Sequence, residues 1–427
     1  MKSDFSRNVV TLVTGTAVAQ AIPLALSPIL TRLYTPDDFG ILAIYMSIAS
    51  LGTVVVSLKY DLAIIIPDKD EDSANITILS IIVAFLMSTI LFFIVWLFGS
   101  EISGFLIDGD ENVRVLSDWL YFVPFSILVM GLFNSISFWF NRKSYYKKMA
   151  TSKVLNTAGM SGVQIGLGAF NFIPVGLLIG FIAGRLFSLL YLLRMLIKDR
   201  DSVFNKISRE RMLYLIKRYK KFPYFTLPAD FTNVVSSQLP VFLIGKYFGG
   251  AILGNYALMD RVLGAPISLL GRSVLDVFKQ RASEDFIRNG NCRDIFVKTF
   301  KTLVLLSAIP TILLFAISPF VFGIVFGEGW EIAGDFAQIF AILFFFRFTA
   351  SPLSYMFHIA EKQHYDMFWQ LGLLIFAIIS FAIGIHFDNI KVALICFVVT
   401  YSLMYIFNLY LSYSFAKGNL ESDKRYK

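Results

Sequence analysis

Charge is what this sequence has least of. Asp, Glu, Lys and Arg make up 16% of its 427 residues, against about 25% in an ordinary soluble domain. No long polar tract stands apart from the apolar ones, which argues against a separate soluble domain. Cysteine is almost missing. Cys292 lies in a basic segment and Cys396 in an apolar run, and two such residues give neither a disulfide framework nor metal-ligand spacing. The histidines, His358, His364 and His386, fall at the ends of apolar runs without ligand spacing. No phosphate-cradling Gly-x4-Gly-Lys-Ser/Thr occurs, which argues against ATP hydrolysis. Nothing in the chain has the pattern of an enzyme's active site.

Apolar surface is what fills the space. The composition is 56% hydrophobic, with 44 Phe and 19 Tyr. Apolar runs of about twenty residues, each long enough to cross a bilayer as a helix, recur from end to end. The chain therefore reads as an all-α polytopic membrane protein with about twelve spans. Their approximate limits are 9–31, 39–58, 75–98, 115–140, 151–172, 174–197, 223–245, 252–275, 300–324, 332–357, 366–386 and 391–415. The first begins like a signal peptide but continues too far to be one, and is read as an uncleaved span. Prolines inside the spans, Pro124, Pro240 and Pro352 among them, predict kinks. The glycines at 159, 162, 166 and 168 predict a close helix–helix contact. Asp37 and Asp38, just after Pro36, suit the start of a helix.

Loop charge predicts the orientation. Of 38 Lys and Arg, 31 fall in the alternate segments that include both termini, and four (Arg32, Arg114, Lys246, Lys391) in the opposite set. By the positive-inside rule both termini are cytoplasmic. The same bias accounts for the net charge of +8 without nucleic acid, whose binders present a basic face on a soluble module. The longest basic segment divides the chain into an N-terminal lobe (1–197, spans one to six), a connecting loop (198–222), a C-terminal lobe (223–415, spans seven to twelve) and a tail (416–427). Arg32-Leu33-Tyr34 with Gly40, and Lys246-Tyr247-Phe248 with Gly254, share one internal spacing at an offset of 214 residues. Such a repeat, with six spans per half, relates the halves about an axis along the membrane normal.

Three arginines, Arg185, Arg261 and Arg347, lie inside spans, where each costs roughly 2.5–3.5 kcal/mol on the lenient insertion scale. Asp230 and Asp260 are the acidic counterparts. Structural ion pairs would account for the set, and so would a charged cavity. Three arginines against two aspartates leave a positive interior that suits an anion, and the guanidinium fork fits phosphate. Arg347, in FFFRFTASP, has two candidate ligands on this reading: the phosphate of a passenger, or an aspartate such as Asp230. Arg32 and the run Lys59-Tyr60-Asp61 are span-end charges, readable as a cavity mouth or as solvated helix ends. Tyr224, Tyr256 and Tyr355 are candidates for stacking on sugars, and equally for core packing.

Several stretches resemble the Wzx-type flippases of the multidrug/oligosaccharidyl-lipid/polysaccharide exporter superfamily. They are LTRLYTPDDFGILAIY (30–45), FNRKSYYKKMATSKVLNTA (140–158), the block 223–271 beginning PYFTLPADFTN, and FGEGWEIAGDFAQIF (326–340) with FFFRFTASPLS (344–354). The resemblance implies two six-helix lobes in a V around a central cationic cavity. It also implies transfer of an undecaprenyl-pyrophosphate-linked oligosaccharide between leaflets of a bacterial inner membrane, for O-antigen, capsule or a related polymer. Under it Arg185, Arg261 and Arg347 hold the substrate, Arg32 and Lys59 flank the mouth, and Asp230 or Asp260 couples transport to H+ or Na+. The partners are then the bilayer, the lipid-linked glycan, and a polysaccharide polymerase with its chain-length regulator; no other cofactor is expected. Two readings compete. A cation or drug exporter of the same superfamily would need an acidic cavity, and the arginine excess opposes that. A membrane-embedded polymerase or ligase would need a large outward loop, and none is present in the sequence.

Overall fold

A computed structural model describes residues 2–199 and 207–418; positions 200–206 of the basic connecting segment and 419–427 of the tail lie outside the described residues. All regular structure among the described residues is helical. Among the described residues nine helices are long and apolar enough to cross a membrane, and the chain is a multi-pass membrane protein. Seven of the helices are α1 (Lys2–Leu33), α2 (Pro36–Val55), α3 (Asp70–Leu106), α4 (Asp110–Leu120), α5 (Val123–Arg142), α6 (Tyr146–Ala169) and α7 (Val175–Asp199). Then come α8 (Arg209–Arg218), α9 (Leu227–Phe248), α10 (Gly250–Asn289) and α11 (Arg293–Phe326). The last four are α12 (Glu331–Leu353), α13 (Met356–Ile359), α14 (Gln363–His386) and α15 (Ile390–Ala416). α6, α9 and α10 have the length to span, at 24, 22 and 40 residues, but are not among the nine. The outward stripe of α3, with Phe85, Leu86, Phe93, Trp96 and Leu97 all more than half exposed, would be an aggregation surface in water. In a bilayer it is the lipid face.

Helix boundaries follow local chemistry. Thr35 caps α2 in a reciprocal box: the Asp38 carboxylate accepts the Thr35 amide at 2.7 Å, and the Thr35 hydroxyl accepts the Asp38 amide at 3.4 Å. This satisfies two of the orphan donors at that end and gives Asp38 the structural role expected of it. Pro124, predicted to kink one long span, instead divides it. α4 stops at Leu120, and Pro124 sits in the first turn of α5, where a missing N–H costs nothing. Pro319, inside α11, cannot bond the carbonyl of Phe315 one turn back. The Gln338 side chain from α12 donates to that carbonyl at 2.6 Å, so a neighbouring helix satisfies the group the proline has freed.

By internal contacts the chain forms two compact units, Met1–Ala257 and Leu258–Lys427. In the first, α6 packs on α1 and α7, α3 on α5, and α9 lies against α2. Acidic residues opening α3 tie down basic neighbours. Asp70 binds Arg142 and Lys143 at the end of α5 at 2.8 and 2.7 Å, and Asp72 takes a two-pronged grip from Arg211 of α8 at 2.6 and 2.8 Å. The glycine stripe of α6 is used only in part. Gly159 abuts Phe187 and Gly168 abuts Tyr34, whereas Gly162 and Gly166 face open space. The tight fit comes also from α7, whose Gly180 and Gly184 lie on α6 backbone. In the second unit α11 packs on α12, and α15 on α12 and α14.

The predicted repeat has a structural counterpart inside the first unit. α2 opens at Pro36 and α10 at Gly250, which is the same offset of 214. Gly40 lies against the Gly250 carbonyl, and Gly254 lies against the Pro36 carbonyl. The contact is reciprocal, each half offering the same two positions to the other. A side chain at either glycine would fall on backbone, which cannot move aside independently.

Candidate functional site: charged clusters inside the helices

In the second unit, α12 explains how one helix carries both phenylalanines and an arginine. Phe336, Phe340, Phe344 and Phe348 recur every four residues and are buried; Phe340 meets Phe397 of α15 at 6.0 Å. Arg347 and Ser351 lie one turn apart on another face and are exposed. Asp260, about 15 Å along α10 from Gly250 at 1.5 Å per residue, is exposed as well, between buried Met259 and half-buried Arg261. The guanidinium of Arg347 acts on the Asp260 carboxyl, and on the phenols of Tyr401 and Tyr405 of α15. Tyr405 shares a hydrogen bond with Ser351, and Tyr401 stacks on Phe397 at 3.9 Å. The result is a cation, an anion and two phenols gathered from three helices, with both charges opening onto accessible space. Water rather than lipid fills such a space, because a charge facing hydrocarbon is costly. Tyr355 lies between α12 and α13, with the Lys279 amine 5.0 Å from its ring centre and His358 at 5.2 Å.

In the first unit Arg185 sits on α7 with its guanidinium 5.5 Å from the Phe181 ring centre. Its Nε is buried and has no hydrogen-bond partner, a group of the kind that a ligand oxygen satisfies. Asp230, in the first turn of α9, is paired with Lys59 at 2.8 Å. Asp230 is thus engaged by Lys59, and the carboxyl on which Arg347 acts is Asp260. The sequence could not decide this, because the pairing joins helices 87 residues apart.

Lys59 is not a solvated helix end. Its side chain is 16% exposed, and a short 3-10 turn (Tyr60–Ile65) follows it. Leu58 and Lys59 both adopt left-handed backbone, φ 47° and 63°, a strained choice for two successive non-glycine residues. Asp61, also read as a span-end charge, is buried at 6%. Its Oδ1 accepts the Ser57 hydroxyl at 2.8 Å and the Leu62 amide at 3.1 Å. Burial pushes this carboxyl above its ordinary range, partly offset by the Ser57 bond and by Lys59. Sequence reasoning missed this site, since neither Leu58 nor Lys59 advertises a left-handed turn. Arg32 is exposed and donates to the Pro28 carbonyl of its own helix at 2.8 Å. It precedes α2 and Lys59 follows it, so about 30 Å of helix separates the two predicted mouth residues.

Among the sugar-stacking candidates Tyr224 is 70% exposed and Tyr256 is buried at 8%. A separate groove of about 730 Å³ runs between α3, α5 and α7, past Phe85, Phe92, Trp119, Phe122 and Ile182. The hydroxyls of Ser88 and Thr89 are turned onto the carbonyls of Pro124 and Phe85, and among the described residues no Lys or Arg lines the groove, so it offers a phosphate no cation. Among the described residues no cluster of His, Cys, Asp and Glu suits a metal.

Comparison with known proteins bears on what these clusters serve. The family model for polysaccharide biosynthesis proteins matches residues 29–334. The teichuronic acid biosynthesis protein TuaB of Bacillus subtilis (strain 168) is 24% identical over 160 residues, which is 38% of this chain and 33% of TuaB. The match thus spans about a third of that relative's length. The inward-closed structure of the lipid II flippase MurJ superposes with a TM-score of 0.76 at 12% identity, over 94% of this chain and 87% of MurJ. An inward-facing multidrug resistance MATE transporter of the MOP superfamily gives 0.63 at 14% identity, over 94% and 92%. A MOP-superfamily transporter from Pyrococcus furiosus gives 0.61 at 14% identity, over 95% and 94%. These neighbours are transporters and a flippase rather than enzymes, and they share this chain's fold.

Proposed function

The chain belongs to the polysaccharide biosynthesis protein family, and from that premise we propose that it is a flippase for a lipid-linked polysaccharide precursor. The passenger is an oligosaccharide on undecaprenyl pyrophosphate, moved from the cytoplasmic to the outer leaflet of a bacterial inner membrane. Both termini are cytoplasmic. The mechanism is alternating access by two six-span lobes, residues 1–197 and 223–415, joined by the basic segment between them.

The observation that carries this reading is the Arg347 cluster: a guanidinium in a spanning helix, exposed, that acts on the Asp260 carboxyl and on the phenols of Tyr401 and Tyr405. Arg347 and Arg261 hold the pyrophosphate, whose charge is stabilised by bidentate donation. Tyr401, half-buried beside Arg347, presents its hydroxyl to the first sugar. Asp260 is the resting partner of Arg347 and yields it to the phosphate as the passenger enters. The polyprenyl tail stays in lipid throughout. An ion gradient of H+ or Na+ drives the cycle, because an ion does work only where the two states bind it differently.

Glycan export by Arg347→Ala and Arg347→Lys at wild-type expression tests the reading. Loss in the alanine variant, with partial export by the lysine variant, is expected from a site that needs both charge and fork. Wild-type export by both variants would overturn it.

A further inference from the structure

The candidate coupling carboxylates lie where sequence would seek them, inside spans. The buried carboxyl at the end of α2 is a better-built site. Asp61 is held by Ser57 and by the Leu62 amide. The left-handed turn at Leu58 and Lys59 swings the Lys59 amine between two carboxylates, Asp61 beside it and Asp230 on α9 at 2.8 Å. We propose that Asp61 is a proton-binding site, and that Lys59, shared between Asp61 and Asp230, makes its charge state set the hold on α9.

The linkage has a definite sign. When Asp61 is charged, it competes with Asp230 for Lys59. A proton on Asp61 removes the competitor, and the Lys59–Asp230 pair tightens. If α9 withdraws Asp230, Lys59 belongs to Asp61 alone, and the proton is expelled. Proton bound goes with pair closed, proton released with pair open, and the two effects are equal by reciprocity. The proposal rests on the transport reading above, in which Lys59 and Asp230 belong to different lobes near the cytoplasmic side. On that reading the proton is released as the cytoplasmic end opens, the direction required of inward proton flow driving outward glycan movement.

The surroundings leave Lys59 as the charge that matters. The 3-10 turn packs on α3, α5 and the π-helical turn Phe222–Thr226. On α3, Asp70 is engaged by Arg142 and Lys143 of α5, and Asp72 by Arg211 of α8; Glu71 lies between them in sequence. The phenol of Tyr60 donates to the Ile216 carbonyl at 3.4 Å and feels Tyr224 of the π-helical turn. Of all these, Lys59 is the ionised side chain that acts on Asp61. Burial raises the Asp61 carboxyl, which brings its titration nearer to the pH at which a cell works.

The experiment is an infrared pH titration of the full-length protein in liposomes, following the C=O stretch of a protonated carboxyl. The wild type is expected to show a band titrating above the ordinary carboxylate range, and Asp61→Asn to lack it. Asp230→Asn is expected to move its midpoint down and Lys59→Met to move it up. Asp230 is 41% exposed, so its substitution spares the fold and serves where a buried variant fails to assemble. Identical titrations of the wild type and Asp61→Asn, or a midpoint that ignores Asp230→Asn, overturn the proposal. The titration uses no glycan. Its failure removes the proton site and leaves the flippase reading standing, whereas wild-type export by the Arg347 variants with an intact titration does the reverse.

Discussion

Replacing Gly254 by alanine asks for one methyl group where the structure has none to spare. The added Cβ would fall on the Pro36 carbonyl and lie 3.1 Å from the Gly40 amide nitrogen. Both obstacles are backbone, so α2 and α10 must part to admit it. Overpacking of this kind costs about 1–3 kcal/mol, and the absence of any flexible side chain puts the cost near the top, about 3 kcal/mol. Gly40→Ala meets the Gly250 carbonyl in the same way and should cost about as much. The double variant should cost well under the sum, because helices parted for the first methyl already admit the second. Gly162→Ala is the control. That helical glycine has nothing within 4 Å of the added methyl, so the change should stabilise by about 0.5–1 kcal/mol through backbone entropy alone. Reversible unfolding in mixed micelles measures all four variants. A second consequence concerns transport: a penalty of about 3 kcal/mol on the joined arrangement shifts its population roughly a hundredfold, and export should fall accordingly. A Gly254→Ala protein as stable as the parent, or single costs that simply add, would refute the reciprocal-contact argument.

Two further outcomes follow from pairs described above. Gln338→Leu leaves the carbonyl that Pro319 frees without its donor and should destabilise by about 1–3 kcal/mol, while adding Pro319→Ala restores the helical N–H and should recover much of that loss in the same unfolding assay. Asp61→Asn should raise the melting temperature at neutral pH. The folded state holds this carboxyl above its unfolded range, so the wild type loses stability as pH rises through the folded value, and the advantage of the variant should vanish as pH falls below the unfolded value near 3.8.

Much of the fold was legible because membrane helices announce themselves by length and oiliness. The apolar run at 366–386 became α14, Gln363–His386, and the run at 391–415 became α15, Ile390–Ala416. Pro124 misled because a proline inside an apolar run looks the same whether it bends a helix or opens one. The spacing repeated at 214 residues made Gly40 and Gly254 equivalent in sequence, but nothing in it said that each meets the backbone of the other half. The charged clusters were only half legible. Arg347 stood out, since hydrocarbon makes any guanidinium conspicuous, but its electrostatic partner depends on how α10 and α12 are rotated. Asp61 was hidden more thoroughly. Its burial follows from a left-handed turn that Leu58 and Lys59 adopt against their own preference, and no local pattern encodes such a turn.

The meeting of Gly40 with Gly250, and of Gly254 with Pro36, also bears on ancestry. Two copies of a half-length chain, associating about a two-fold axis, would make this contact twice with a single genetic instruction. In such an ancestor one substitution strikes both sides at once, so the position can vary little. Fusion of the copies lifts that constraint, and each side then drifts alone. Pro36 and Gly250, first residues of equivalent helices, differ, as do Arg32 and Lys246. The two glycines are the same on both sides, where each lies on the backbone of the other half.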